Sequence, residues 1–399
     1  MFYVAFVITW DVLCVLRIPS AQRKTTSSFQ PPSNERYFIA SIHWNNEKIL
    51  RSHWNKAVVE LVKYLGPENT YVAVLESGSW DNSKDALREL DQALGGLNTP
   101  RKIVLEDKTH KEEISRLPAD DEPGWADTSR GLRELRRIPY LANLRNRVMA
   151  EMSGVNDTDN RPFTKVLWLN DVVFNTEDIL TLLATNEGSY SAACSLDFSK
   201  PPTYYDTFAL RDIGGSQPIT QTWPYFLSSK SRKALLSNRP VPVQSCWNGV
   251  VAMNAEPFLG EKPLKFRGIS DSLAQFHLEG SECCLIHVDN PLNQPPGAGA
   301  VFVNPNVRVG YNPQAYDVVK VSSKHSWPSF SDRIFGMWGN RWARYSGFLQ
   351  RNIQHWIVWR RIQQWQSVGP RGPNRWVEQG NICIINEMQV LVENGWKHL

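Results

Sequence analysis

The sequence lacks the glycine-rich signatures of the common nucleotide sites. No Gly-x-Gly-x-x-Gly follows its first apolar run and no Walker loop occurs anywhere in its 399 residues. Both absences argue against a classical dinucleotide site and a P-loop. A dominant charge of one sign is missing too: 44 basic residues stand against 40 acidic ones, for a net charge of +4. With no basic block interleaved with aromatics, no nucleic-acid partner is expected. Cysteine is scarce, at six. The adjacent Cys283 and Cys284 have no second Cys or His at zinc spacing, which argues against a metal finger. A disulfide from Cys246 to Cys283 or Cys284 is compatible with the sequence, which does not derive it. One glycosylation sequon is present, Asn156-Asp157-Thr158, in a polar, loop-like stretch; it gives weak support to a lumenal address.

Long apolar runs are absent except at the start. Ten of the residues from Met1 to Ile18 are Leu, Ile, Val or Phe. Together they favour membrane insertion by about 3–6 kcal/mol, against about 2.5–3.5 kcal/mol for a central Asp11. Without a basic n-region or a small-residue cleavage site, the run reads as an anchor over residues 1–19 rather than a cleaved signal. Arg17, Arg23 and Lys24 follow it, and the positive-inside rule would then place the body in the cytosol. Residues 20–35, rich in Ser, Thr, Gln and Pro, read as a stem. The remainder, with 42% hydrophobic and 21% charged residues overall, is globular.

Strands and helices then alternate. Tyr37–Ile42, Tyr71–Leu75 and Lys102–Leu105 are strand-like. Between them lie an amphipathic helix with Leu50, Trp54, Val58, Leu61 and Leu65 on one face, and a second carrying Ala86, Leu87, Leu90 and Leu94. This order predicts an α/β domain with a largely parallel sheet. Lys108 to Arg130 reads as a charged surface loop. Pro139 to Met152 predicts a helix whose apolar face holds Leu141, Leu144, Val148 and Met152. At 100° per residue Arg145 falls on that face and Arg147 off it. A buried guanidinium needs an anion, either a carboxylate of the domain or a bound phosphate.

The centre of the chain is Lys165 to Phe174. Its unalternating apolar run, Val166–Leu169, predicts a strand covered on both faces. The run ends at Asn170-Asp171. At the carboxyl end of a buried strand an acid can hold a divalent cation, and the cation a diphosphate. The same pair also suits a turn and helix cap. Tyr190–Asp197 is a further strand ending in an acid. Tyr204 to Asp212 is dense in Tyr, Asp and Arg, the side chains that bind sugar hydroxyls and phosphate. From Val321 the composition changes: half of the 16 tryptophans lie beyond it, among arginines. Residues 321–399 are expected to form a helical appendage packed on the domain, with an interfacial membrane-facing element or an acceptor-side lid as the alternatives.

Three motifs in this order, Trp168–Phe174, Ser245-Cys246-Trp247-Asn248-Gly249 and Ser281–Ile286, resemble the fungal capsule-associated α-1,3-mannosyltransferases related to the cryptococcal capsule proteins. The resemblance covers about Arg36 to Tyr311. It implies a GT-A type domain over 36–320, a Rossmann-like mixed sheet with helices on both faces, and a single-pass type II Golgi membrane enzyme with that domain lumenal. It implies mannose transfer from GDP-mannose to a mannose-containing acceptor, with retention of configuration and with Mn2+ (or Mg2+). Asp171 would contact the metal, with Asn170 as neutral helper where the family's fold usually has a second acid. Glu76, Asp81 and Arg145 would complete the donor site. Tyr205, Arg211, Trp247 and Asn248 would bind the acceptor, and Glu282, Asp206 and Asp212 would be the acids at the reacting centre. A UDP-sugar transferase on the same fold, and a non-catalytic glycan-binding or scaffold subunit, are the competing expectations.

Overall fold

The computed structural model describes residues 9–13, 15–18, 35–119, 121–159, 161–294, 300–320 and 327–399. Its core is one mixed sheet. The strands used below are β1 (Tyr37–His43), β2 (Thr70–Glu76), β3 (Arg101–Leu105), β4 (Lys165–Leu169), β5 (Ala192–Lys200), β6 (Thr203–Tyr204), β7 (Arg211–Asp212), β8 (Val241–Ser245), β9 (Val250–Asn254) and β10 (Val301–Gly310). Their order across the sheet is β3-β2-β1-β4-β9-β5-β10-β8-β7, with β6 beside β5. The first four run parallel. β9 then inserts antiparallel between β4 and β5. The central apolar run is therefore buried as expected, but only one of its two neighbours is parallel.

The helices are α1 (Asn55–Leu65), α2 (Ser83–Gly96), α3 (Arg137–Asp159), α4 (Thr176–Leu183), α5 (Glu282–Asp289), α6 (Phe330–Ser346) and α7 (Phe348–Val368). α1, α2 and α4 cover one face of the sheet, through Val58, Leu61, Leu87, Leu90 and Ile179. α3 covers the other through Leu144, Val148 and Met152. Arg145 points inward with them and is 7% exposed. Arg147 points out and pairs with Glu106 at the surface. α4 starts with a capping box, in which Asn175 accepts from Asp178 N and Asp178 from Asn175 N. Asn175 and Asp178 thus cap this helix, and the Asn170-Asp171 pair does not.

Three expectations are corrected. First, residues 1–8 and 19–34, which held most of the expected anchor and stem, lie outside the described residues. Among the described residues no helix is long and apolar enough to cross a membrane, which overturns the single-pass Golgi placement. The physical reason lies at Asp11. It is 1% exposed and pairs with Arg341 of α6, Nη2 to Oδ1 at 2.6 Å, so protein and not lipid surrounds it. Second, the disulfides are Cys194–Cys246 and Cys284–Cys383, and Cys283 is free. Third, the stretch from Lys108 to Arg130 contains a capped helix, His110–Ser115, and a strand, Trp125–Asp127, paired with Arg133–Leu135. The backbone of α3 also runs helical through the sequon to Asp159.

The chain beyond residue 321 is helical only in part. Ile384–Ile385 pairs with Glu279–Gly280, and Gln389–Val392 forms a hairpin with Gly395–His398. Arg136 and Arg137 tie this region to the domain: the backbone of Arg136 bridges Val390, and Arg137 Nη1 donates to Gln389 Oε1 at 2.7 Å.

Candidate active site

The sheet order reverses between β1 and β4. The exits of these strands form the switch point at which open α/β sheets bind ligands. Asp171 stands there. Its position is fixed from several sides. Asn170 N donates to Gly249 O at 2.9 Å, and Trp54 Nε1 donates to Asn170 O at 3.0 Å. Trp54 reaches this carbonyl from a π-helical turn, Leu50–Trp54, that leads into α1. Asn46, at the exit of β1, donates from Nδ2 to Asp171 Oδ2 at 3.0 Å. Gly249 is required: its φ is +67°, and a Cβ there would stand 2.3 Å from Val309 Cγ2.

Asp171 lines a cleft of about 580 Å3 together with Asn170, Arg145, Tyr205, Asp206 and Glu282. Trp247 is also part of its wall. Seven of the residues expected from sequence are thus brought together. The three motifs converge because their members hold one another. Arg145 Nε donates to Glu282 Oε1 at 3.2 Å. Its guanidinium packs over Trp247 at 4.7 Å and Trp168 at 5.1 Å. Asn248 Nδ2 donates to Asp206 O at 2.9 Å, which fixes the acidic loop from behind.

The remaining candidates lie elsewhere. Glu76 is fully buried, accepts from Ser79 N and pairs with Lys84 at 3.3 Å. Asp81 accepts from Glu47 N and Ser83 N, each at 3.0 Å. Both shape the loop after β2 and are outside the cleft lining. Arg211 spends its guanidinium on four backbone carbonyls, among them Phe208 O at 2.8 Å and Ile382 O. Asp212 gathers Gly214 N, Ser216 N and Ser228 N at 2.6–3.1 Å. Burial and full backbone pairing leave both without a face toward an acceptor. Asn248 is likewise buried behind the wall.

Some residues of the cleft, and Asp197 directly behind it, were not singled out from the sequence. Asp197, at the carboxyl half of β5, is fully buried; it accepts from Asp206 N at 3.2 Å and from Tyr311 OH at 3.0 Å. Its place as the acid ending a strand was the available signal. Arg137 and the C-terminal hairpin, with Trp396 and His398, also line the cleft. Arg137 packs over Trp396 at 4.2 Å. No local pattern marks the hairpin, because its role comes from packing alone.

The cleft and the layer behind it gather several acids whose carboxyls burial perturbs. Burial pushes Asp171 up to about 6, against the opposing hydrogen bond from Asn46. Burial also pushes Asp206 up to about 6. Asp197 rises well above the carboxylate range, from burial first and the charge of Asp206 second. Tyr205 and Tyr311, whose rings lie 4.5 Å apart, both feel the charges of Asp171, Asp197 and Asp206. Burial works to lower Arg145, but Cys283, Glu282 and Asp206 hold it above the ordinary arginine value. Its Nη1 is buried and has no hydrogen-bond partner among the described residues. These residues also do not include a group of three or more His, Cys, Asp or Glu arranged around a metal. The donor set is a carboxylate and neighbouring amide oxygens. It fits a hard cation held largely by waters and substrate phosphate, and does not fit an all-protein cage.

Comparison with known proteins adds to this geometry. The chain is 27% identical over 308 residues to alpha-1,3-mannosyltransferase CMT1 of Cryptococcus neoformans var. neoformans serotype D (strain JEC21 / ATCC MYA-565). The match covers 74% of this chain and 61% of that protein's length, so the chain spans under two thirds of its relative. Among solved structures, the mannosyltransferase PcManGT from Pyrobaculum calidifontis, in complex with GDP-Man and Mn2+, is 11% identical with a TM-score of 0.35, covering 93% of this chain and 85% of its own. GalNAc-T7 with UDP, GalNAc and Mn2+ is 11% identical with a TM-score of 0.37, covering 75% and 48%. At such scores the likeness decides neither fold nor ligand. The family model described as cryptococcal mannosyltransferase 1 matches residues 36–289, which include all three motifs and both members of the Arg145–Glu282 pair, and the chain belongs to that family.

Proposed function

We propose that this chain transfers mannose from GDP-mannose to a mannose-containing acceptor, forming an α-1,3 bond on a GT-A type domain. The observation that carries the reading is Asp171 at the switch point of the sheet, in one cleft with Arg145, Asp206 and Glu282. The name of the Cryptococcus relative supports the linkage and the sugar.

The donor's diphosphate would meet Asp171 and Arg145. Arg145 Nη1 is the open donor for a phosphate oxygen, while Nε stays on Glu282. Charge grows on the diphosphate as the anomeric bond breaks, and a fixed guanidinium in a dry site stabilises it there. Asp171, with Asn170 beside it, would hold Mn2+ or Mg2+. When bound, such an ion neutralises the departing diphosphate. Trp44 stacks on His110 at 4.2 Å and meets Trp80 edge-on at the exits of β1 and β2, which supports a base-binding role for the loop shaped by Glu76 and Asp81.

On the acceptor side, Tyr205 is 55% exposed, and Trp396 lines the same cleft. Aromatic rings of this kind pack against sugar faces. Asp206, held by Asn248 and Asp197, would orient the acceptor hydroxyl. Donor and product are both α-linked, so configuration is retained. Glu282 is tied to Arg145, so a front-face route, in which the leaving phosphate takes the acceptor proton, needs no protein nucleophile.

The test is donor profiling of the purified chain with α-mannobiose, with and without Mn2+, and product linkage by NMR. Transfer from GDP-mannose to the 3-hydroxyl is expected. Turnover or thermal stabilisation by UDP-sugars alone would sink the mannosyl reading. GDP binding without transfer would make the chain a scaffold.

A further inference from the structure

We propose that α6 and α7 form a peripheral surface that binds anionic lipid bilayers. The first of these helices, α6, is inverted in its polarity. The buried positions of α6 are Arg333, Gly336 and Asn340, and Gly336 packs so tightly that a Cβ would meet Trp223 O at 2.0 Å. The orientation of the helix is therefore fixed with its polar stripe inward. Its aromatic stripe faces out: Phe335, Trp338, Trp342 and Tyr345, at steps of three and four, are 75, 40, 74 and 81% exposed. The pattern continues along α7, where Leu349, Ile353, Trp356 and Trp359 are 68, 46, 53 and 58% exposed. A helix face of this kind in a globular protein normally packs on a core. Here Ile362 and Trp365 do so instead, on the cluster around Leu273 and Cys284.

Along the sequence of the two helices, the charge beyond the first turn of α6 has one sign. Between Asp332 and Glu378 the sequence holds eight arginines, no lysine and no acidic residue. Arg341 and Arg360 lie over the rings of Trp338 and Trp356, at 5.1 and 5.3 Å. Arg360, Arg371 and Arg375 are exposed. The helical residues 9–13 and 15–16, tied to α6 by Asp11–Arg341, add exposed Trp10, Leu13 and Leu16.

Arginine beside Trp and Tyr, with aliphatic side chains interleaved, is the composition of an element lying in a bilayer interface. The arginine stems cover apolar surface while their heads stay among lipid phosphates. A second copy of the chain would bring the same positive face against itself, which opposes self-association. Nucleic acid would satisfy the arginines and leave Leu349, Ile353 and Phe335 in water. An anionic bilayer satisfies both sets.

The experiment is co-sedimentation of the full chain with phosphatidylcholine vesicles, with and without phosphatidylserine, at increasing salt. Binding should require phosphatidylserine and weaken as salt rises. The triple variant Trp342→Ser, Trp356→Ser, Trp359→Ser should lower the partition coefficient by about tenfold or more with an unchanged melting temperature. The charge variant Arg360→Glu, Arg371→Glu, Arg375→Glu should do the same, since each basic residue near such a surface contributes on the order of a fivefold gain. Removing residues 1–8 should leave binding in place. Equal partition onto both vesicle types, or binding that survives both variants, overturns the proposal. So does a chain that ignores vesicles but self-associates through the tryptophans, for then a second copy covers this face.

Discussion

Replacing Arg145 by methionine separates its two roles. The guanidinium is buried, pairs with a buried Glu282 and packs over Trp168 and Trp247. Methionine keeps much of the volume but leaves the Glu282 carboxylate, 3% exposed, without its cation. Breaking one half of a buried pair costs about 3–5 kcal/mol. With an unfolding entropy of roughly 2.1 cal/mol/K per residue, a 399-residue chain should lose about 4–6 °C in melting temperature. The double variant Arg145→Met, Glu282→Gln removes both charges. Its stability should return to within about 1 kcal/mol of the parent, because a neutral pair of similar shape avoids the desolvation cost. Activity should not return. The loss of charge stabilisation on the diphosphate should leave kcat down about 100- to 1000-fold in both variants. Thermal melts and initial rates with GDP-mannose measure the two effects side by side. If Arg145→Met melts lower but keeps its rate, the arginine is a structural ion-pair partner and the diphosphate role is wrong. If the double variant is as unstable as the sum of the singles, the pair is not coupled and the packing argument fails.

Asp171→Asn should abolish Mn2+-dependent GDP binding, measured by calorimetry, yet raise the melting point in EDTA. Its carboxyl is pushed from 3.8 to about 6 by burial, so its ionised form opposes folding at neutral pH by about 3 kcal/mol. An unchanged affinity for GDP and Mn2+ would remove Asp171 from the donor site. His287 is fully buried with Nε2 bonded to Cys246 O at 2.7 Å, and burial lowers it to about 4. Its folded value lies below the unfolded one of about 6.5, so the stability it contributes is full above pH 6.5 and is lost as pH falls toward 4. His287→Asn should flatten the acid limb of the stability curve by about 3 kcal/mol, in denaturant titrations at pH 4 and 7; an unaltered slope would show that it is not held neutral. The Cys284–Cys383 disulfide closes a span of 99 residues. Replacing both by serine should cost about 4–5 kcal/mol on the chain-entropy model, and a variant as stable as the parent would mean that the reduced chain is held equally well by its core.

The sequence by itself determined the elements and their faces. Short apolar runs placed β1, β2, β3 and β4 and set Asp171 at the end of a buried strand, and the 3.6-residue period turned Arg145 inward and Arg147 outward. These are local properties, carried by neighbouring residues. The three motifs pointed to the family, because they mark the residues that brace one cleft from three distant parts of the chain.

What only the tertiary structure decided concerns partners far apart in sequence. Glu282 meets Arg145 across 137 positions, and Asp11 meets Arg341 across 330. No window of sequence contains either pair. An apolar run with one acid therefore looked like an anchor, when that acid is buried against an arginine of α6. Arg211 and Asp212 looked like sugar binders because their side chains suit hydroxyls. The fold gives those same donors and acceptors to backbone groups, since burial leaves no other way to satisfy them. The C-terminal hairpin reached the cleft for the same reason: the Arg136–Val390 bridge, the Arg137–Gln389 hydrogen bond and the Cys284–Cys383 disulfide fasten it there, and each of those contacts exists only once the chain has folded.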